Sequence, residues 1–385
     1  MFTDKFILHF TTWQFIFTFK VVIWDKRFLI GLLLLCSFVG FCQETATADT
    51  TKAAPEEELF KKAVKLIDSA RYKEAIADLK KAIKIKPDYP AAYTKMGIAK
   101  IKLKDIKGAE KDLKTALTGN PNDFETLKTM GFMYFNIENY KECKIFFDSA
   151  ASIATTDKID DAEFYFYRAK LMFIGKSYKT ALDMLAAAIE IKPKYVEAFV
   201  LKGEIRFAQK DYNYAIKELN EGIAMMKSDQ LDYSAYKTRA KAKFEIQDYK
   251  GAITDWSVYL DGNPGEEEAL IARGAARINI NDHTNALVDL DEAIKKNPKN
   301  PVSYNYRGMA KAGNKQFVEG LKDINYAIQL KFDYAAAYVN RAAIKFASKD
   351  KRGACEDLNK ADTLGDPMAY KLIEQYCKGM NDNRK

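Results

Sequence analysis

Residues 267–300 read EEALIARGAARININDHTNALVDLDEAIKKNPKN, and the fold follows from how this stretch is read. It holds two apolar patterns of helical period, separated at Asn281-Asp282 and closed by Asn297-Pro298. Leu270, Gly274 and Arg277 share one face of the first pattern; Ala286, Leu290 and Ala293 share one face of the second. Each helix has only a stripe to bury, so neither half folds alone. The unit is a helical hairpin that needs copies of itself to stack against.

The chain supplies the copies. Pro87 and Pro121 are 34 residues apart, as are Pro264 and Pro298. Sliding that frame along gives nine units, starting near residues 56, 90, 124, 162, 196, 233, 267, 301 and 335. The column holding Gly274 reads Ala63, Gly97, Gly131, Ala169, Gly203, Ala240, Gly274, Gly308 and Ala342. Only Gly and Ala occur, which implies that the two helices of each hairpin touch there. A second small column reads Ala75, Ala109, Cys143, Ala181, Ala215, Ala252, Ala286, Gly320 and Ala354. Four residues on, a large column reads Leu79, Leu113, Phe147, Leu185, Leu219, Trp256, Leu290, Ile324 and Leu358. Alternating small and large layers lets facing helices interdigitate without voids.

These columns resemble the tetratricopeptide repeat family, with its Leu-Gly, Tyr, Ala, Phe or Leu, Ala and Pro over 34 residues, across roughly residues 56–365. The resemblance implies an all-α, right-handed superhelical solenoid of about nine helix hairpins. It also implies a concave groove, lined by the first helix of each hairpin, that holds a protein or peptide. Some positions depart from the pattern. Cys143 and Gly320 stand in the alanine column, and Trp256 with Tyr259 adds bulk to the sixth unit, where wider helix spacing is expected. Insertions within Ile153–Asp161 and Met226–Asp232 should lengthen a loop or helix end and break the superhelix locally.

The first 42 residues are different material. Lys26-Arg27 precede the 14-residue apolar run Phe28–Phe41, which is short for a membrane span of ~20 residues. The basic flank, short apolar core and small residues at Gly40 and Cys42 read as a signal peptide cut near Cys42–Gln43. Acylation of Cys42 as a lipoprotein, or retention of the leader as an anchor, is the alternative. Phe6–Trp24 is a second apolar stretch, interrupted by His9, Gln14 and Lys20; it is either a poor membrane segment or sequence upstream of the true start. Residues 43–55 are a Thr/Ala-rich linker with nothing to bury. After the repeats, residues 366–378 read as a capping helix with Pro367 in its first turn, and 379–385 as a tail.

Three cysteines follow the leader. Cys143 reads as a buried small hydrophobe. A turn near Gly365-Asp366 would bring Cys355 and Cys377 together, and a disulfide there would pin the cap by ~3 kcal/mol. Such a bond suits an oxidising compartment.

Catalysis finds little support. His283 occupies a column otherwise of Tyr and Phe, which makes it a turn-packing residue. No Cys/His cluster has zinc spacing, no glycine-rich loop is built for phosphates, and no carboxylate pair stands out, so no metal, cofactor or small-molecule substrate is expected. The formal charge is +8, falling to +6 without the first 42 residues, and the basic groups are interleaved with acids, unlike a nucleic-acid stripe. Arg168, Arg239, Arg273, Arg307 and Arg341 precede the small column, and Asp255, Asp289, Asp323 and Asp357 recur in second helices. They read as an Arg–Asp ladder rather than a ligand-binding array.

Mapped onto the family's groove, first-helix faces present Lys128, Phe132 and Asn136, then Phe166 and Lys170, then Glu204, then Lys237 and Lys241. That mixture suits an extended peptide with acidic and apolar residues. Phe135, Phe173, Phe207 and Phe244 read as packing between helices. The asparagines with which some family members grip a terminal carboxylate are missing. The resulting expectation is an exported, non-enzymatic scaffold binding other proteins in a bacterial cell envelope. The rival reading is a fixed spacer in an outer-membrane or surface-machinery assembly.

Overall fold

The computed structural model describes residues 54–229 and 231–377; the leader, the linker up to residue 53 and the tail lie outside the described residues. Among the described residues every regular element is a helix. Three hairpins pair α1 (Pro55–Asp68) with α2 (Tyr72–Ile85), α3 (Pro90–Lys102) with α4 (Ile106–Gly119), and α5 (Phe124–Asn136) with α6 (Tyr140–Asp157). Three more pair α7 (Ala162–Ile174) with α8 (Tyr178–Ile191), α9 (Val196–Ala208) with α10 (Tyr212–Ala224), and α11 (Tyr233–Glu245) with α12 (Tyr249–Gly262). The last pair α13 (Glu267–Asn279) with α14 (His283–Lys296), α15 (Pro301–Gly313) with α16 (Phe317–Leu330), and α17 (Ala335–Ala347) with α18 (Lys351–Thr363), before a final short α19 (Ala369–Tyr376).

Each hairpin reverses by the same local device. At the end of α3, Lys104 is left-handed (φ 63°). Its N–H donates to the Ile101 carbonyl, and the Asp105 N–H reaches back to Lys100, which closes the helix in a Schellman motif. Asp105 then caps α4 by accepting from the Gly108 N–H at 3.0 Å. Asn139, Asp248, Asp282 and Asp350 repeat the cap at α6, α12, α14 and α18.

The columns meet as expected, and at several of the glycines even a methyl group would not fit. A methyl group on Gly131 would stand 2.2 Å from Phe147 Cδ1, and one on Gly203 2.4 Å from Leu219 Cγ. On Gly274 it would lie 3.0 Å from Leu290 Cγ, a contact that small shifts can relieve. The size of the facing side chain does not alone decide between Gly and Ala, because Ala240 lies opposite Trp256 with both buried. Cys143 is fully buried in its column.

Wider spacing inside the sixth hairpin is not found. Helices α11 and α12 pack as closely as the two helices of the other hairpins, and Arg239 still reaches Asp255 at 2.8 and 2.6 Å. Trp256 lies beside the next junction instead, where α11 and α13 are the most sparsely packed of the consecutive first helices. The insertion at 153–161 lengthens α6 to 18 residues and leaves α6 and α7 the most loosely packed consecutive helices of the array. The insertion at 226–232 does not loosen its junction, because Met226 fills in against Val200, Leu219 and Ala235. Pro367 lies in the turn before α19, not in its first turn. Leu372 and Ile373 cover Ala342, Ala354 and Leu358, and Cys355 and Cys377 are joined by a disulfide with Cα atoms 5.8 Å apart.

Candidate partner-binding face

The odd-numbered helices lie side by side and form one face of the array, so residues pointing out of that face are available to a partner. The arginines are not among them. Asp289, 2% exposed, accepts from Arg273 at 3.1 and 2.8 Å and from Arg277 at 2.6 Å. Arg239–Asp255, Arg307–Asp323 and Arg341–Asp357 repeat the two-pronged pairing, with Lys243, Lys311 and Lys345 as the second cation. The remaining nitrogen of Arg239, Arg273, Arg307 and Arg341 reaches the preceding hairpin, at Asn220, Ser257, Asp291 and Asn325 respectively. Arg168 departs from this arrangement. Met184 occupies the acid's place, so Arg168 has only Asp148 of the previous hairpin, at 3.6 Å. Burial pulls its pKa down against the pull of that carboxylate.

The expected groove residues divide into satisfied and unsatisfied groups. Lys128 is held by Glu125 at 2.8 Å and Asp161 at 2.9 Å; burial acts against its charge, but these carboxylates raise its pKa overall. Asp161 also caps α7 through the Phe164 N–H. Lys237 repeats the device with Glu266, which caps α13 through Ala269 and takes the ammonium at 3.0 Å. Glu268 takes Lys241 at 2.6 Å and Lys237 at 3.0 Å, and the two keep its carboxyl below the usual carboxylate range. Three of the four expected lysines are therefore neutralised within the protein.

Lys170 is different. Its Nζ stands 5.4 to 5.6 Å from the ring centres of Phe135, Phe166 and Tyr167, and no carboxylate among the described residues pairs with it. Glu204, one hairpin along, accepts no hydrogen bond from the described residues. Burial raises its pKa and Asp232 adds to the rise, while Lys170 opposes it. Phe132 packs on Phe147 and Tyr167, with ring centres 5.5 and 4.6 Å away. Asn136 lines a shallow recess with Glu163 and Tyr167. Phe135, Phe173, Phe207 and Phe244 each pack on the tyrosine that opens their own hairpin's second helix, at 5.3 to 6.0 Å. His283 lies against Gly313 of the next hairpin, as a packing residue does.

A feature absent from the sequence-based expectations lies where α11 and α13 stand apart. A pocket of about 320 Å³ opens there, walled by Phe207, Phe244, Trp256, Ile271 and Tyr306. From α13 it takes Ala272 and Ala275, at positions filled one period away by Thr238 and Tyr306, and by Lys241 and Met309. Lys241, Glu268 and Glu245 sit at its edge. The signal was present in the columns as a local loss of bulk, on a face where small residues had not been counted.

Nine hairpins with a shared small column give the described residues the architecture of a tetratricopeptide-repeat array. A family model described as "TPR repeat" matches residues 65–104. The chain is 25% identical over 222 residues to human DnaJ homolog subfamily C member 3, covering 55% of this chain and 44% of that protein. The bovine protein of the same name is 24% identical over 232 residues, again spanning less than half of the relative. Among solved structures, YrrB, titled a TPR protein with an unusual peptide-binding site, aligns at 16% identity and TM-score 0.45 over 49% of this chain and 94% of its own. Pseudomonas aeruginosa pilF aligns at 14% identity and TM-score 0.49 over 57% of this chain and 96% of its own.

Proposed function

We propose that this chain is an exported, non-catalytic scaffold that holds a segment of a partner protein against the face of its odd-numbered helices. The observation that carries the reading is the pair Lys170 and Glu204. Both are drawn into the face away from full hydration; each feels the other's charge, but neither makes a direct ion pair or a charge-bearing hydrogen bond among the described residues. A half-buried charge without a direct partner is destabilising, so its place beside the internally paired Lys128, Lys237 and Lys241 is accounted for by a partner protein that supplies the missing group. Export to a bacterial cell envelope rests on the basic-flanked apolar run at 28–41, and the Cys355–Cys377 disulfide is consistent with it.

The test is affinity capture from the native envelope fraction with wild-type chain and with the double variant Lys170→Ala/Glu204→Gln. A partner held by wild type and lost from the variant, with helical content unchanged, supports the reading. Equal capture by both would refute it. Stoichiometric recovery of a membrane assembly by both proteins would favour the rigid-spacer role instead.

A further inference from the structure

We infer that the pocket between α11 and α13 is a specificity pocket that takes one large apolar side chain of a peptide segment carrying a nearby Lys or Arg. The inference rests on the peptide-holding reading above and specifies the partner's chemistry. Three observations carry it. The first is origin: α11 and α13 pack more sparsely than any other consecutive first helices, Trp256 floors the gap, and Ala272 and Ala275 leave it empty. Bulk at either position, as elsewhere in the same columns, would fill it.

The second is lining. Phe207, Phe244, Ile271 and Tyr306 present apolar surface, and about 320 Å³ lies at the small end of the range for ligand sites. One side chain fits that space, whereas a folded domain or a large cofactor does not. Aromatic walls suit a flat or branched apolar group, which gains from burial and from ring contacts.

The third is charge. At the pocket edge Lys241 is bound to Glu268, and nearby Lys237 is bound to Glu266 and Glu268. Glu245 is exposed and has no ion-pair partner among the described residues. The uncommitted charge at the pocket edge is therefore negative. An acidic peptide would have to break an internal lysine pair to be bound here, whereas a basic one completes what is already present.

The experiment selects a phage-displayed library of short random peptides on the full chain, then measures the enriched peptides against Ala275→Phe and Ala272→Leu. Both substitutions fill the pocket, and helical content and thermal midpoint are recorded for each, so misfolding of one leaves the other informative. The expected result is a consensus of one large apolar residue with a neighbouring Lys or Arg. Its affinity falls by about tenfold or more in either variant, as for loss of an anchoring side chain. Glu245→Lys should shift the selected neighbour from basic to acidic. Enriched peptides that bind both filled variants like wild type overturn the pocket and leave the peptide-holding face standing. A consensus with acidic neighbours overturns the charge argument. Failure of wild type to enrich anything beyond the Lys170→Ala/Glu204→Gln control overturns the underlying reading as well. A wild-type dimer in sedimentation that Ala275→Phe dissociates would make a second copy the occupant and overturn the peptide assignment.

Discussion

Replacing Gly131 by alanine tests the packing rule at its tightest point. The added methyl would lie 2.2 and 2.3 Å from Phe147 Cδ1 and Cε1, far inside any normal contact. Phe147 has little room to retreat, because it is 1% exposed and its ring meets Phe132 and Phe164 edge-on, with centres 5.5 Å away in both cases. Two effects oppose each other. Alanine gains about 1 kcal/mol over glycine in a helix interior. Overpacking a rigid site costs about 1–3 kcal/mol, and a fully enclosed ring falls at the upper end. The net expectation is a loss of about 1–2 kcal/mol in the third hairpin. Gly274→Ala is the internal control, since at 3.0 Å the Leu290 side chain can yield and the two effects nearly cancel.

Because repeats contact only their neighbours, the loss should stay local, and a single global unfolding energy would blur it. Hydrogen exchange followed peptide by peptide is the suitable assay. Gly131→Ala should speed exchange in α5 and α6 by about tenfold, the equivalent of 1.4 kcal/mol, and leave α13 and α14 unchanged. Unchanged or slower exchange in α5 and α6 would mean that the close approach of these helices is not what the glycine column records.

Asp289→Ala should cost about 3–5 kcal/mol around the seventh hairpin, because it strands Arg273 and Arg277 together, and Asp289→Asn should cost less; a loss below about 1 kcal/mol in urea unfolding would show the ladder to be energetically idle. Glu204→Gln should stabilise the chain at neutral pH. With its pKa raised by burial in the folded state, the ionised carboxylate is a penalty that grows as pH rises from the ordinary carboxylate range through the raised value. The advantage of the glutamine should therefore vanish in acid, and an advantage independent of pH would refute the assignment. Reduction of the Cys355–Cys377 disulfide should remove ~3 kcal/mol from the α18–α19 cap; thiol labelling of the unreduced, denatured chain should modify Cys143 but neither of these two.

Most of the fold was legible because it depends on side-chain volume at fixed intervals, and volume is visible in single residues. Gly274 against Leu290, Asp282 at a helix start, and Arg273 sixteen positions before Asp289 carry their meaning locally. The face was legible only in outline. Lys128, Lys170, Lys237 and Lys241 look alike as letters, yet three are neutralised by carboxylates from around the following hairpin's first turn, and one rests on aromatic rings. That difference depends on where Asp161, Glu266 and Glu268 arrive after the chain has passed through a whole second helix. The pocket was harder still, since it lies in an interval between helices from different hairpins, and small residues at Ala272 and Ala275 read as unremarkable without that interval.

The Arg–Asp bridges of hairpins six to nine share one register, and each arginine's outward nitrogen meets a polar atom on the hairpin before it. Those four units therefore share one connector, even though the packing of their first helices differs at the α11–α13 junction. Hairpins three and four, with Phe146 and Met184 where the others have an acid, offer no such fitting. The same joint thus repeats four times in the C-terminal half, where an added unit carrying the Arg–Asp pair would meet a kind of contact the chain already uses.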